Sequence, residues 1–497
     1  MKGAEKRMII AGIGRNNHDD SVCVYADGEI KYSKYEREIN EKSALAFDWW
    51  FYEKIKSWGF KLEDINLFVE TSRGSFYHQG LWRLPLNGKT MYESTRLKKI
   101  ILDHHTAHLH ANVNYIPGLV QGIVIDGMGS GGHTVLIDDT KNIYRYFECT
   151  PASVYANIVR PMNLITPEQA HEPGVYGAGK VMGLINYGEF NKNIFKKIKN
   201  LNLESISSIL DYKYKENNKE WWDFLKAVDE VCYNYILKNF SMLNKNIPIV
   251  YSGGAALNVE WNRRLKKEGY NLLIDPAVND SGISLGLVYF GLYYLNIKKT
   301  KIKNFPYFQD DETPKSYPSQ KTIKEAAELL SKGKIVGWYQ GKGEYGPRAL
   351  GNRSILMDPR IKNGKKILNE KVKKREWWRP YGASVLEEKA DKYFDINYSP
   401  YMLFNCKVKN NNLPSITHVD KTCRPQTVNK GQNKYFYDLI HSFYEITGTP
   451  ILLNTSLNLG GKPICSTIKD AKEVLKITNL DFLCVGNSIY SKENEIL

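Results

Sequence analysis

The sequence predicts an α/β chain of two or more domains, and three observations carry that prediction. Its 497 residues exceed what one core ordinarily holds. Short apolar runs punctuated by glycine alternate with longer helical stretches. A charged segment with three prolines, residues 298–320, has no periodicity and reads as a linker.

The strand-like runs are 7–14, 21–33, 65–70, 122–129, 133–139 and 247–254. Asp27-Gly28 interrupts the second and Asp138-Asp139 closes the fifth, which marks hairpins. Residues 219–243 read as a helix. Beyond the linker, a helix from Thr322 to Ser331 precedes a strand at 334–340. Residues 361–376 read as a helix with one strongly positive face. The expected division is 1–312 and 313–497. No internal repeat is visible.

Composition narrows the class. A hydrophobic content of 42% with 12% aromatics suits a globular protein. The first apolar run ends at Arg15, too early for a signal peptide, and the longest, Gly282 to Leu295, is too short to span a bilayer. A soluble, cytoplasmic protein without membrane contact is expected. Seven cysteines without a CxxC pair argue against a thiolate zinc site and against a disulfide framework. The net charge of +15 fits a polyanionic partner, or a lysine-rich compositional drift.

The most informative stretch is GKGEYGPRALGNRSILMDPR, residues 341–360. Gly346, Pro347 and Gly351 set turns, and Arg348 and Arg353 bring planar donor forks within five residues of each other. That pattern suits an oxyanion such as a phosphate. Further along, Arg379, Arg424, Asn454 and Ser456 add guanidinium, amide and hydroxyl groups for a nucleotide. Ser354 lies inside the arginine run.

Residues 103–110 read DHHTAHLH. On a helix, His104 and His108 share one face, a spacing that grips a first-row metal. Asp126 and Asp280, each at a strand end beside glycine, are the candidate carboxylates. His18, just after the first strand, is a candidate general base. Glycine clusters at 127–132, 177–183 and 252–254 leave room for backbone N–H groups to approach phosphates, with Lys180 adding charge. Residues 73–99 interleave Arg73, Arg83 and other cations with aromatics such as Trp82, as a nucleic-acid groove does.

Together these motifs resemble the NodU/CmcH family of O-carbamoyltransferases. The likeness runs from Asn16 or Asn17, His18, Asp19 and Ser21 through Glu36-Arg37, HHxxH at 104–108, DGxG at 126–129, GxGKVMGL at 178–184, SGGxALN at 252–258 and DxGxxxG at 280–286. It continues through GPRALGNRSIL, KREWWRP, HVDKTxRxQTV and NTSxN. Ala178 stands where an acidic residue is usual, Lys421 where glycine is usual, and Gly382 also departs.

The resemblance implies an N-terminal actin-like (ASKHA) domain, related to the tRNA threonylcarbamoyl transferases, and a C-terminal YrdC-like α/β domain. It implies that carbamoyl phosphate and ATP, with Mg, give carbamoyl adenylate in the second domain, where Arg348, Arg353, Ser354, Arg379, Arg424, Asn454 and Ser456 bind. It implies transfer in the first domain at a metal, iron by resemblance, on His104, His108, Asp126 and Asp280. His18 would be the base, with Gly127, Gly129, Lys180, Gly253 and Gly254 holding the adenylate. The favoured acceptor is 5-hydroxymethylcytosine in DNA, contacted by Arg73, Trp82 and Arg83. The alternatives are a small molecule such as an aminoglycoside or sugar, a tRNA threonylcarbamoyl reaction, and a non-catalytic nucleic-acid-binding role. The oligomeric state stays open.

Overall fold

The computed structural model describes residues 7–16, 18–71, 98–129, 132–138, 142–146, 149–159, 173–201, 203–208, 218–410 and 412–492. Three sheets organise them. In the first, β1 (Ile9–Gly14), β2 (Ser21–Ala26) and β3 (Glu29–Lys34) form an antiparallel meander. β4 (Leu67–Glu70) and β5 (Lys99–Ile101) extend it parallel to β1, giving the order 3-2-1-4-5.

The second sheet repeats that plan. β6 (Gln121–Gly129), β7 (Gly132–Ile137) and β8 (Ile143–Tyr146) form the meander. β9 (Ile249–Ser252) and β10 (Leu272–Leu273) add in parallel. Read as 8-7-6-9-10, it matches the first sheet strand for strand. This is an actin-like duplication. It escaped the sequence because a repeat of connections does not require a repeat of residues. Both hairpins fall where the Asp-Gly and Asp-Asp turns predict them.

Each half ends by crossing to the other. The His104–Ala111 helix follows β5 and packs on β6, and the Ile283–Tyr294 helix follows β10 and packs on β1. These two helices also pack on each other. A Cβ on Gly286 would stand 2.0 Å from the Ala107 carbonyl oxygen, so that crossing tolerates only glycine. From Ile283 to Leu292 this helix is apolar on every side because it is buried on every side, against Ile10, Val69 and Ile100 of the first sheet among others. Among the described residues, no helix is long and apolar enough to cross a membrane.

The third sheet is mixed and eight-stranded, in the order β14-β15-β13-β16-β12-β11-β17-β18. Its members are β11 (Val336–Tyr339), β12 (Arg353–Met357), β13 (Gly382–Leu386), β14 (Cys406–Lys407), β15 (Thr422–Val428), β16 (Ile451–Ser456), β17 (Phe482–Val485) and β18 (Ser488–Ser491). Alternation divides its side chains. Val336, Trp338, Leu356 and Leu452 face the Gln320–Ser331 and Lys434–Thr447 helices. Tyr339, Ile355, Val385 and Leu453 face the opposite core, which includes Leu368, Val372 and Val474.

Two expectations change. The segment 298–320 is no loose linker: Ile302, Tyr307 and Phe308 are buried, and the Tyr307 hydroxyl donates to the Leu350 carbonyl at 2.8 Å. Its aromatics found core partners, which its charge and prolines concealed. Residues 361–376 form only a short helix, Gly364–Ile367, running into a π-turn at Leu368–Val372. Leu368 and Val372 anchor it, and Lys373 turns inward with 3% exposure instead of joining a wet face.

Candidate active site

His104 begins its helix, with the Asp103 side chain accepting from the Thr106 N–H as N-cap. One turn later His108 faces the same way, and their Nε2 atoms lie 3.1 Å apart. Asp126 sits where the β6–β7 register shifts, between Ile125 and Gly129, so an irregular ladder turns its carboxylate out of the sheet. Its Oδ2 lies 3.2 Å from His104 Nε2, and its Oδ1 accepts from the Gly254 N–H at 2.9 Å. Asp280, in the short turn that opens the Ile283–Tyr294 helix, places Oδ1 3.3 Å from His108 Nε2 and 3.5 Å from His104 Nε2.

The four ligand atoms lie within 4.8 Å of one another. Burial by itself would lower the His104 imidazole, but Asp280 and Asp126 outweigh it and lift it to about 10. Against burial, the two histidines hold the Asp126 and Asp280 carboxylates well below the usual range. Two imidazoles facing each other across two carboxylates suit a divalent first-row cation. Ser252 Oγ lies 3.4 Å from His108 Nδ1, where a metal-bound histidine is commonly oriented by a second contact. His110, from the same octapeptide, packs instead against Tyr115, Phe290 and Tyr293.

His18 enters from the β1–β2 turn. Its Nε2 is 3.9 Å from Asp280 Oδ2 and its Nδ1 is 2.9 Å from Asp19 Oδ2. Lys34, at the end of β3, lies 2.5 Å from Asp19 Oδ1 and 2.7 Å from Glu36 Oε1.

One cavity of about 890 Å³ runs from this cluster into the C-terminal half. At its far end stand Arg348, Lys373, Arg375, Arg379 and Arg424. Burial and then Arg379 bring the Arg348 guanidinium down to about 10, and burial and then Arg375 do the same for Arg379. Arg424 falls well below its ordinary value through burial and then Arg348. The Nε atoms of Arg348 and Arg424 are buried without a hydrogen-bond partner. Glu376 offsets part of the charge, 3.4 Å from Arg379 and 2.7 Å from Lys180. Half-buried cations crowded around one cavity are what an anion stabilises. Asn454 and Ser456 line the same wall, where Asn454 Nδ2 donates to Ser384 Oγ at 2.9 Å.

Arg353 and Ser354 do not line this cavity. Arg353 is fully buried, stacked 3.6 Å over the Tyr339 ring. Its Nη1 donates to the Gln340 carbonyl at 2.6 Å and its Nη2 to those of Glu312 and Gly341 at 3.0 Å. The two neighbouring forks of the sequence thus point apart, Arg348 to the cavity and Arg353 into its own loop. Ser354 is buried in β12, opposite Ser456. Sequence reasoning also missed Glu344, whose Oε1 accepts from the Leu350, Asn352 and Arg353 amides and so shapes the arginine loop from within.

Of the four glycines expected at the adenylate, Gly127 and Gly254 line the cavity, as do Gly179 and Gly183 of the 177–183 cluster. Gly253 does not; its φ of 88° and a Cβ position 2.4 Å from the Ile125 carbonyl oxygen make it a turn requirement. Gly129 pairs with Gly132 at the end of the β6–β7 ladder. Lys373 and Arg375 were missed because they sit in a run that reads as a solvated basic face. Asn17, Arg73, Trp82 and Arg83 lie outside the described residues.

Residues 327–492 match the family model described as Carbamoyltransferase C-terminus. Nodulation protein NolNO of Sinorhizobium fredii is 31% identical over 363 residues, 64% of this chain and 53% of that one. The 3'-hydroxymethylcephem-O-carbamoyltransferase of Streptomyces clavuligerus is 25% identical over 418 residues, 78% of this chain and 80% of that one. The chain spans about half the length of the first curated relatives it matches. Among solved structures, the activator of the 2-hydroxyisocaproyl-CoA dehydratase from Clostridium difficile aligns at TM-score 0.36 and 15% identity, over 59% of this chain and all of that one. An actin-like half joined to a carbamoyltransferase C-terminal half defines the class. Over residues 327–492 the chain carries the Carbamoyltransferase C-terminus domain, and the relatives it resembles include nodulation proteins and 3'-hydroxymethylcephem-O-carbamoyltransferases.

Proposed function

We propose that this protein is an ATP-dependent O-carbamoyltransferase that works in two steps. The observation that carries the reading is the shared cavity, with a cation cluster at one end and the His104, His108, Asp126 and Asp280 quartet at the other. In the first step carbamoyl phosphate, ATP and one water give carbamoyl adenylate, phosphate and pyrophosphate. Arg348, Arg379 and Arg424, with Lys373 and Arg375, hold the phosphates, ATP arrives with Mg, and Asn454 and Ser456 orient the nucleotide. Charge neutralisation by preorganised cations is the main catalytic contribution here. On this reading the working units are 1–312 and 313–497, the second YrdC-like.

In the second step an acceptor hydroxyl attacks the carbamoyl carbon, the bond to the adenylate oxygen breaks and AMP leaves. His18 takes the hydroxyl proton. The Gly127 and Gly254 turns, with Lys180, flank the adenylate. His104, His108, Asp126 and Asp280 would hold a divalent metal, iron by family likeness, which supplies a Lewis acid for the carbamoyl oxygen.

The acceptor we favour is 5-hydroxymethylcytosine in DNA, supported by the +15 charge. A small-molecule hydroxymethyl group is the second reading, favoured by the relatives whose names specify a hydroxymethylcephem. Incubation with ATP, carbamoyl phosphate and each acceptor, followed by mass spectrometry, tests both. Carbamoyl phosphate-dependent AMP formation with a carbamoyl mass on the nucleoside supports the DNA reading. A carbamoyl mass on the small hydroxymethyl compound alone overturns it, and no carbamoyl phosphate-dependent pyrophosphate formation overturns the activity itself.

A further inference from the structure

We infer that Asp19 is the positioning residue of His18, and that Lys34 and Glu36 hold Asp19 in place for that task. The inference rests on His18 being the base of the proposed transfer.

The backbone gives the first sign. Asp19 has φ of 61°, a left-handed turn conformation that aspartate adopts more readily than most residues. Here it curls the carboxylate back onto the ring of the preceding residue, with Oδ2 2.9 Å from His18 Nδ1.

The surroundings then fix that carboxylate from two further directions. Asn279 Nδ2 donates to Oδ2 at 2.8 Å, from the residue next to Asp280. Lys34 Nζ lies 2.5 Å from Oδ1. Lys34 is 4% exposed and touches a second carboxylate, Glu36, at 2.7 Å. Glu36 is itself pinned, its Oε2 accepting from the Ser43 N–H at 2.8 Å. A buried ammonium between two buried carboxylates carries a desolvation cost that simple packing would avoid. The arrangement has a chemical use. A carboxylate on Nδ1 selects the Nδ1–H tautomer, so the Nε2 lone pair is directed to the side of the ring that faces Asp280 and the cavity. Lys34 keeps Asp19 anionic and oriented while His18 gains and loses its proton.

The test uses the full chain and two readouts. Histidine-labelled protein is observed by long-range proton–nitrogen correlation at about pH 8.5, without substrates, with His18→Gln to assign the signal. Wild type is expected as the Nδ1–H tautomer, and Asp19→Asn as a mixture or as Nε2–H. The second readout is steady-state transfer to whichever hydroxymethyl acceptor the wild type modifies. In Asp19→Asn, kcat for transfer falls about a hundredfold or more, while acceptor KM and carbamoyl phosphate-dependent release of pyrophosphate in a single turnover stay within about threefold. If Asp19→Asn does not fold, Asp19→Ser, which also removes the carboxylate from Nδ1, replaces it with the same expected tautomer change. An Nε2–H tautomer in wild type, an unchanged tautomer in the variants, or a changed tautomer with unchanged kcat each overturns the inference. Wild type that transfers to no acceptor overturns the carbamoyltransferase reading instead, and the tautomer still decides the role of Asp19.

Discussion

Arg37 donates from Nη2 to the Gly346 carbonyl at 2.9 Å, joining the end of the first meander to the turn that presents Arg348. Its Nη1 also lies 3.7 Å from Asp311 Oδ2, and Arg353 approaches the same oxygen at 3.8 Å. Asp311 is fully buried, and burial raises its carboxyl against the pull of Arg37 and Arg353. Arg37→Met leaves that carboxylate with one cation and is expected to destabilise the fold by about 3–5 kcal/mol. Urea unfolding measures it, and Asp311→Asn in the same background recovers part of the loss.

Arg353 and Arg424 should separate cleanly. Arg353→Met removes bonds to four backbone carbonyls and lowers stability by about 3 kcal/mol or more. Arg424→Met relieves a crowded cation and leaves the melting temperature unchanged or raised. It lowers carbamoyl phosphate-dependent AMP formation about a hundredfold. Calorimetry with an AMP assay distinguishes the two.

The quartet is tested by metal content. His108→Ala and Asp126→Asn each reduce bound divalent metal, measured by elemental analysis of purified protein, at least about tenfold. Transfer is abolished in both, and carbamoyl phosphate-dependent release of pyrophosphate at the other end of the cavity persists in a single turnover. Dialysis against a chelator gives the same split.

Lys421 has φ of 60° and an exposed side chain. Glycine, usual at this position in the motif, accepts that conformation without strain. Lys421→Gly is therefore expected to stabilise by about 1 kcal/mol, seen as a higher urea midpoint.

His418 carries a pH dependence. Burial pushes its imidazole below the ordinary value, despite Asp420 and a 2.9 Å contact between Nε2 and the Gly183 carbonyl. The folded state thus holds it neutral while the unfolded chain takes up a proton below about pH 6.5. Its contribution is fully present above that pH and is lost as pH falls toward the depressed value. His418→Gln keeps a donor for Gly183 and should flatten the melting temperature between about pH 6.5 and 5.

Much of the site was legible because its chemistry demands rare residue types in fixed spacing. His104 and His108 are one helical turn apart, and Asp126 and Asp280 stand beside glycines. The arginine run was legible only in part. Whether a guanidinium faces a cavity or its own loop depends on the partner, and Glu344 and Tyr339 carry no motif that assigns them to Arg353. Lys373 was hidden for a similar reason, since a lysine-rich run gives no sign of which member turns inward. The hairpins were readable from local turn chemistry. The duplication of the two five-stranded halves was not, because it resides in strand connections.

The crossing of the two terminal helices has a mechanical consequence. His104 and His108 follow the strands of one half, Asp126 sits on the central strand of the other, and Asp280 opens the helix that returns to the first. The four donors therefore straddle the seam between the halves. An ion gripped by all four is a clasp, and rotation that parts the halves also parts its ligands. A metal held there would therefore tie the two halves together, and its removal would loosen their packing as well as empty the site.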